Sequence, residues 1–320
     1  MLTPKIRRKS TQRACKTCYI ALSILAVLAL SGIANAAEGG AFTYPIGAET
    51  VMPAFAPPPK LLLFQEFTEV YSAGQFNDSN GKSAIPGFRL TVFAGAQKFK
   101  YNWGTNFLGG KLMTGGGPTQ VYEQVEAAGA TGHNMNFGNT DLEPLFVVYH
   151  KGSLFWQYGM DIWTPGLTYN RTSMVNIGTH YWSFEPTAAF TYLPNKGQTE
   201  VSSRVHYGIN TTNPDTKYHT GDDLAWEWDV MQNINKRVAL GANGYVQHQT
   251  TDDELNGQKV GSDGFRSNVV GIGPEVRIWI GKSGIAFKYF KEVDVRNHPL
   301  GSCVWFEAAI PVHMFGVHQK

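Results

Sequence analysis

Between Val201 and Val312 the chain alternates, residue by residue, between an apolar face and a polar one, and the alternation restarts after each turn. From Val201 the odd positions are Val201, Ser203, Val205, Tyr207 and Ile209, set against Ser202, Arg204, His206, Gly208 and Asn210. Asp222 to Val230 repeats the pattern, with Leu224, Trp226, Trp228 and Val230 on one side and Asp223, Ala225, Glu227 and Asp229 on the other. A period of two means strands, because successive side chains leave a β-strand on opposite faces. One face is oily and aromatic; the other carries charges of both signs. In a soluble sandwich the oily face is the interior. In a membrane barrel it is the exterior, and the charged face lines a lumen.

Composition favours the barrel. Charged residues make up 16% of the chain, against roughly 25% in an average soluble domain. A length of 320 residues could hold two domains, yet all-β barrels of this length occur as one. The N-terminus reads as an export signal: Lys5, Arg7, Arg8, Lys9, Arg13 and Lys16 precede an apolar run from Tyr19 to Leu30, and Ala34-Asn35-Ala36 is a small-x-small cleavage site. The expected division is therefore a signal peptide over 1–36, a Pro/Gly-rich linker or plug over 37–60, a transmembrane barrel over 61–315 and a tail over 316–320. The leader holds six of the 27 basic residues and none of the 25 acids, so the mature chain is acid-rich and nucleic acid is not implied as a partner. Cys15 and Cys18 lie in the leader, which leaves Cys303 alone and excludes an intramolecular disulfide framework.

Taken in order, strands are expected over Leu61–Tyr71 and Phe88–Phe99, two within Thr105–Ala128 interrupted by Gly115-Gly116-Gly117-Pro118, then Leu145–His150 and Leu154–Trp163. Phe184–Leu193, Val201–Asn210, Asp222–Val230, Arg237–Gln249, Phe265–Ile280, Ile285–Val295 and Ser302–Val312 follow. The fold class is all-β: an antiparallel transmembrane β-barrel of about 12 strands, each long enough to cross a bilayer at a tilt. Trp156, Trp163, Tyr181, Trp182, Tyr192, Trp279 and Tyr289 fall near strand ends, where aromatic girdles lie. A large soluble β-protein is the alternative.

The carboxy-terminal half resembles a family of outer-membrane transport proteins named after the meta-pathway of phenol degradation. The residues that carry this are Thr191-Tyr192-Leu193-Pro194, Tyr207-Gly208-Ile209-Asn210 with Asn213, and the run Thr216 to Asp222. The run Gly244 to Asp253, Gly271-Ile272-Gly273-Pro274, Lys288 to Glu292, and Asn297 with Gly301 complete the set. Glu38-Gly39-Gly40 and Pro57-Pro58-Pro59 resemble the family's amino-terminal signature; Asn297-His298 departs from its usual Asn-Arg. The resemblance implies a bacterial outer-membrane barrel associated by name with uptake of aromatic or other hydrophobic compounds. It implies outer-membrane lipid, small-molecule solutes and the outer-membrane assembly machinery as partners, and no cofactor.

In a barrel the charged face becomes the candidate site. Arg204, His206, Asp223, Glu227, Asp229, Glu275, Arg277, Lys288, Glu292, Asp294, Arg296 and Glu307 are expected to line the lumen, together with Glu185. Acids outnumber bases, so an open lumen would prefer cations mildly. The opposing reading is a set of cross-strand ion pairs inside a filled barrel, since wide pores need about 16 strands. Catalysis would call on Ser202, Ser203, His206, His219 and Asp223, but no nucleophile elbow or metal-binding helix motif frames them. Asp252-Asp253-Glu254 with Asp263 offers a loop site for Ca²⁺, although solvated acidic loops are commoner. The expected function is passive passage of small, aromatic or hydrophobic solutes; the alternatives are a plugged structural or adhesive barrel and a barrel-embedded hydrolase.

Overall fold

The computed structural model describes residues 42–312. No helix among them is long and apolar enough to cross a membrane. The strands are β1 (Leu62–Phe76), β2 (Arg89–Phe107), β3 (Gly110–Ala127), β4 (Ala130–Lys151), β5 (Leu154–Trp163), β6 (Ser183–Tyr192) and β7 (Thr199–Asn210). They continue with β8 (Tyr218–His219), β9 (Asp223–Asn233), β10 (Val238–Gln249), β11 (Glu254–Leu255), β12 (Gln258–Lys259), β13 (Asn268–Ile280), β14 (Ser283–Arg296) and β15 (Pro299–Val312). Twelve of them close into an antiparallel barrel in the order β1-β15-β14-β13-β10-β9-β7-β6-β5-β4-β3-β2. Closure joins β1 to β15, from Leu62 opposite Val312 to Phe76 opposite Pro299, and leaves no unpaired edge inside a bilayer. The three short strands β12-β11-β8 form a separate sheet in the loops.

The long connections, 77–88, 164–182, 211–222 and 250–267, share one rim with the tight turns at 128–129 and 297–298. The other rim carries only short connections, 108–109, 152–153, 193–198, 234–237 and 281–282. Alternation along each strand turns Val205, Leu224, Trp226, Val230, Leu240, Ile272, Val276, Phe287, Val304 and Ile310 outward and exposed. Their polar neighbours point in and are buried, the inside-out arrangement of a membrane barrel.

Four expectations are corrected. The glycine cluster does not end a strand: β3 runs through Gly115-Gly116-Gly117, with register shifts against β4 at Met113/Gly115 and Pro118/Gln120, and Thr105–Phe107 belongs to β2. Strand β4 begins at Ala130 rather than Leu145, because its first half pairs with β3 above the end of β5. Trp163 and Tyr181 are buried rather than girdle residues; Trp163 donates to Glu185. Finally, a bulge at Val293 shifts the pairing of β14 with β13, so that Val270 faces Asp294 while Gly271 faces Glu292. One extra residue inverts the side-chain parity beyond it. Val295, at 3% exposure, is therefore inside, and the Asp294 and Arg296 side chains, 53% and 56% exposed, pair with each other on the outer surface.

Candidate functional site

Residues 42–61 occupy the lumen. Phe42 stacks on His298 at the loop rim, with ring centroids 5.4 Å apart; at the other end Lys60 N–H bonds Asn102 carbonyl before the chain turns into β1. Prolines 45, 53, 57, 58 and 59 keep this segment out of the sheet, because proline cannot donate to a ladder. Its backbone groups are satisfied by wall side chains instead.

Glu227 of β9 accepts from the Tyr44 hydroxyl at 2.7 Å and from Gly47 N–H at 2.6 Å. Lys288 of β14 donates to the carbonyls of Gly47 and Ala48 and to the Thr50 hydroxyl, and pairs with Glu307 of β15. Glu200 of β7 accepts from Met52 N–H, and Thr191 of β6 from Ala54 N–H. Gly47 fits because a Cβ there would lie 3.1 Å from the Phe290 ring, and its φ is +92°.

Glu49 is the charged centre of the segment. It pairs with Arg204 of β7 and Lys98 of β2, and Lys100 Nζ lies 3.5 Å away. Burial alone would raise its carboxyl, but the Arg204, Lys100 and Lys98 cations outweigh that and hold it well below the usual carboxylate range. Arg204 also pairs with Asp161 at 2.8 Å. Lys98 Nζ lies 2.5 Å from Asp141 and 2.6 Å from Glu143. Glu49, Asp141 and Glu143 converge closely enough to hold a metal ion, but the Lys98 ammonium already occupies the centre of that group. A second cluster lies on the wall alone: Arg277 binds Glu200 at 2.5 Å and both Asp229 and Glu275 at 2.8 Å.

Beside these clusters lies a group of buried aromatic and apolar side chains. Phe67, Tyr71 and Phe76 of β1 and Phe88 of the loop that follows pack with Tyr245, Phe290, Val295 and Trp305, and with Tyr44 of the inner segment. An aromatic wall along β1, β14 and β15 thus runs through an interior that is otherwise polar and charged, with Lys288, Glu292 and Glu307 on the same strands.

Of the twelve predicted lumen residues, Arg204, His206, Asp223, Glu227, Asp229, Glu275, Arg277, Lys288, Glu292 and Glu307 are buried inside the barrel, as is Glu185. Asp294 and Arg296 lie outside, for the reason given by the bulge. The charges brought together are paired rather than bare. Asp223 accepts from Gln247, Glu292 from Tyr71, and His206 packs edge-on to Tyr44 at 4.3 Å. Ser202 bonds Thr191 and Glu200, Ser203 faces outward and accepts from Trp226, and the structure does not assemble these serines with His206. The loop acids also part company: Asp252 pairs with Arg266 and Lys259, Asp253 receives Tyr218 and Gln249, and Asp263 receives Asn297.

Glu49, Lys98, Lys100, Asp141, Glu143, Asp161 and Glu200 are the site residues the sequence reading missed. Asp161 was legible from the alternation of β5, where Tyr158, Met160 and Ile162 face out. Lys100 and Glu200 sit just beyond strand ends drawn too short, Lys98 lies within the expected Phe88–Phe99 strand on the face that otherwise reads as apolar, and Asp141 and Glu143 sit in the part of β4 not read as strand.

The chain matches the family described as "Putative MetA-pathway of phenol degradation" over residues 73–308. The chain belongs to this family. No curated protein matches it in sequence. Among solved structures it is similar to an outer membrane channel from Pseudomonas putida F1, with a TM-score of 0.69 at 13% identity over 85% of this chain and 100% of that one. It is more distantly similar to the transport unit of the autotransporter AIDA-I from Escherichia coli (TM-score 0.47, 10% identity, 84% of this chain and 95% of that one). A FadL homologue from Pseudomonas aeruginosa matches at TM-score 0.38 and 8% identity, over 87% of this chain and 96% of that one. At these identities the likeness is one of fold: the family is built on an outer-membrane type of barrel.

Proposed function

We propose that the protein is a plugged outer-membrane channel that passes small aromatic or amphipathic solutes when residues 42–61 shift within the lumen. The observation that carries this is the way the inner segment is held. It is held by a handful of hydrogen bonds and ion pairs to Glu227, Lys288, Glu200, Arg204 and Lys98 and by the packing of Tyr44 and Ala48 on the wall, not by strands of the sheet, so it can move without opening the barrel. Polar contacts of this kind exchange with water at small net cost. Two further points support the reading: the P. putida relative in structure is an outer membrane channel, and the aromatic wall would give a flat apolar solute a surface to slide along. The apolar belt would face outer-membrane lipid, with the turn rim toward the periplasm, after export by the cleaved leader and insertion by the assembly machinery.

The mature chain, reconstituted in planar bilayers, is expected to show rare openings, and a variant lacking residues 42–54 to conduct steadily. Glu227→Ala with Lys288→Met, which removes both wall holds on Gly47, is expected to open more often than wild type. Equal conductance in all three would remove the inner segment as a gate. A heat-modifiable barrel that conducts in none of them would make the protein a structural barrel.

A further inference from the structure

The outer face of β1–β3 sets a carboxylate and two amides into the apolar belt. On β1 the outward positions run Leu62, Phe64, Glu66, Thr68 and Val70; on β2 they run Tyr101, Phe99, Gln97, Gly95 and Phe93, each opposite its partner. A polar pair is thus set inside an apolar belt, with two apolar rungs below it and one above. Gln97 Nε2 donates to both Glu66 oxygens at 3.1 Å, Thr68 Oγ1 to Glu66 Oε1 at 3.1 Å, and Gln120 Nε2 of β3 to Gln97 Oε1 at 2.7 Å. Among the described residues nothing donates to Gln120 Oε1, which ends the chain of bonds on an exposed side chain. Across the barrel, on β7, β9 and β10, the outward Val205, Trp226 and Leu240 are apolar and exposed.

A charged side chain facing acyl chains is costly, less so for a carboxylate than for a cation, and an unfilled acceptor adds to that. Polar groups at such depth are ordinarily turned toward protein. Two features show what protein. The patch contains its own complement, amide donors on Gln97 and Gln120 beside the acceptors Glu66 and Gln120 Oε1, so a two-fold axis along the membrane normal would set donors of one copy against acceptors of the other. Gly95 and Ala308 flank it with almost no side chain, and a Cβ placed on Gly95 would meet nothing nearer than the Gln97 amide at 3.6 Å, an ordinary contact. Short residues let two backbones approach closely, as they do wherever segments associate in lipid.

We propose that the outer face of β1–β3, centred on Glu66, Gln97 and Gln120, is the contact by which two copies of this chain form a dimer in the membrane. This does not depend on whether the lumen conducts.

The test uses the processed full chain in native outer membranes. Thr68→Cys, with a short bis-maleimide, is expected to give a covalent dimer of twice the chain mass. Val205→Cys, facing lipid across the barrel, is expected to give none. Adding Glu66→Leu, Gln97→Leu and Gln120→Leu to Thr68→Cys should abolish the dimer while the heat-dependent gel shift of a folded barrel remains. Val70→Cys replaces Thr68→Cys if the latter loses that shift. The proposal is overturned by equal crosslinking at positions 68 and 205, by a crosslinked product of any mass other than the dimer, by a dimer that survives the three leucines, or by a folded variant that stays monomeric.

Discussion

Gly117 shows how a single residue can read as a break and act as a hinge pin. A Cβ at Gly117 would lie 1.8 Å from the Gln97 carbonyl oxygen, and one at Gly115 2.5 Å from Glu143. The glycines let β3 pass close enough to β2 and β4 for Lys98 to reach Asp141 and Glu143. Gly117→Ala must therefore push two hydrogen-bonded strands apart, at about 3 kcal/mol, whereas Gly74→Ala, with nothing within 4 Å, should be near neutral. The midpoint of the heat-dependent gel shift compares the two. Arg277 is a second such point: Arg277→Met would leave Glu200, Asp229 and Glu275 buried together without their cation, a loss of about 3–5 kcal/mol. A urea midpoint unchanged from wild type would mean that water already screens those acids.

For the inner segment as an element, the relevant charge is Glu49. Around it stand Lys98 and Lys100 on β2, Arg204 on β7, Asp141 and Glu143 on β4, and Tyr44 of its own segment. Because its carboxyl ionises below the usual range when docked, its contribution to docking is complete above the ordinary carboxyl value and fades only as pH falls through the lowered one. The segment should then stay seated from about pH 8 to about pH 5. Amide protection factors at Gly47, Met52 and Ala54 measure this directly, since their N–H groups bond Glu227, Glu200 and Thr191. Protection lost near pH 6 would show that some group other than Glu49 governs docking. The pairing also changes what the interior charges mean. Read as a row on strands they promise a cation-selective pore; in three dimensions the cations Lys98, Arg204, Arg277 and Lys288 each sit among carboxylates, and selectivity would belong to the state in which the segment has moved.

At the scale of the whole molecule, barrel and inner segment are separable. Arg204 keeps Asp161, Lys98 keeps Asp141 and Glu143, and Lys288 keeps Glu307 if the segment leaves; Glu227 alone loses both of its bonds. The chain lacking residues 42–54 should therefore still fold and shift on gels, with a lower thermal midpoint than the full chain. Much of this architecture is legible in the sequence. Alternation by itself determined the strands from Leu154 onward, the inward set of Arg204, Glu227, Asp229, Glu275, Arg277 and Lys288, and the outward oily belt, because a pleated strand in lipid leaves each residue only two faces to choose from. What alternation could not carry is anything that depends on an offset between strands or on a partner far along the chain. The bulge at Val293 turned Asp294 and Arg296 outward by adding one residue on one strand. Glycine hid the continuity of β3, since close approach is a property of the neighbours that Gly117 meets. Only closure of the barrel decided that a Pro-rich stretch of ambiguous fate would lie inside it, where Glu49 finds Arg204 155 residues away and the lumen charges are already spoken for.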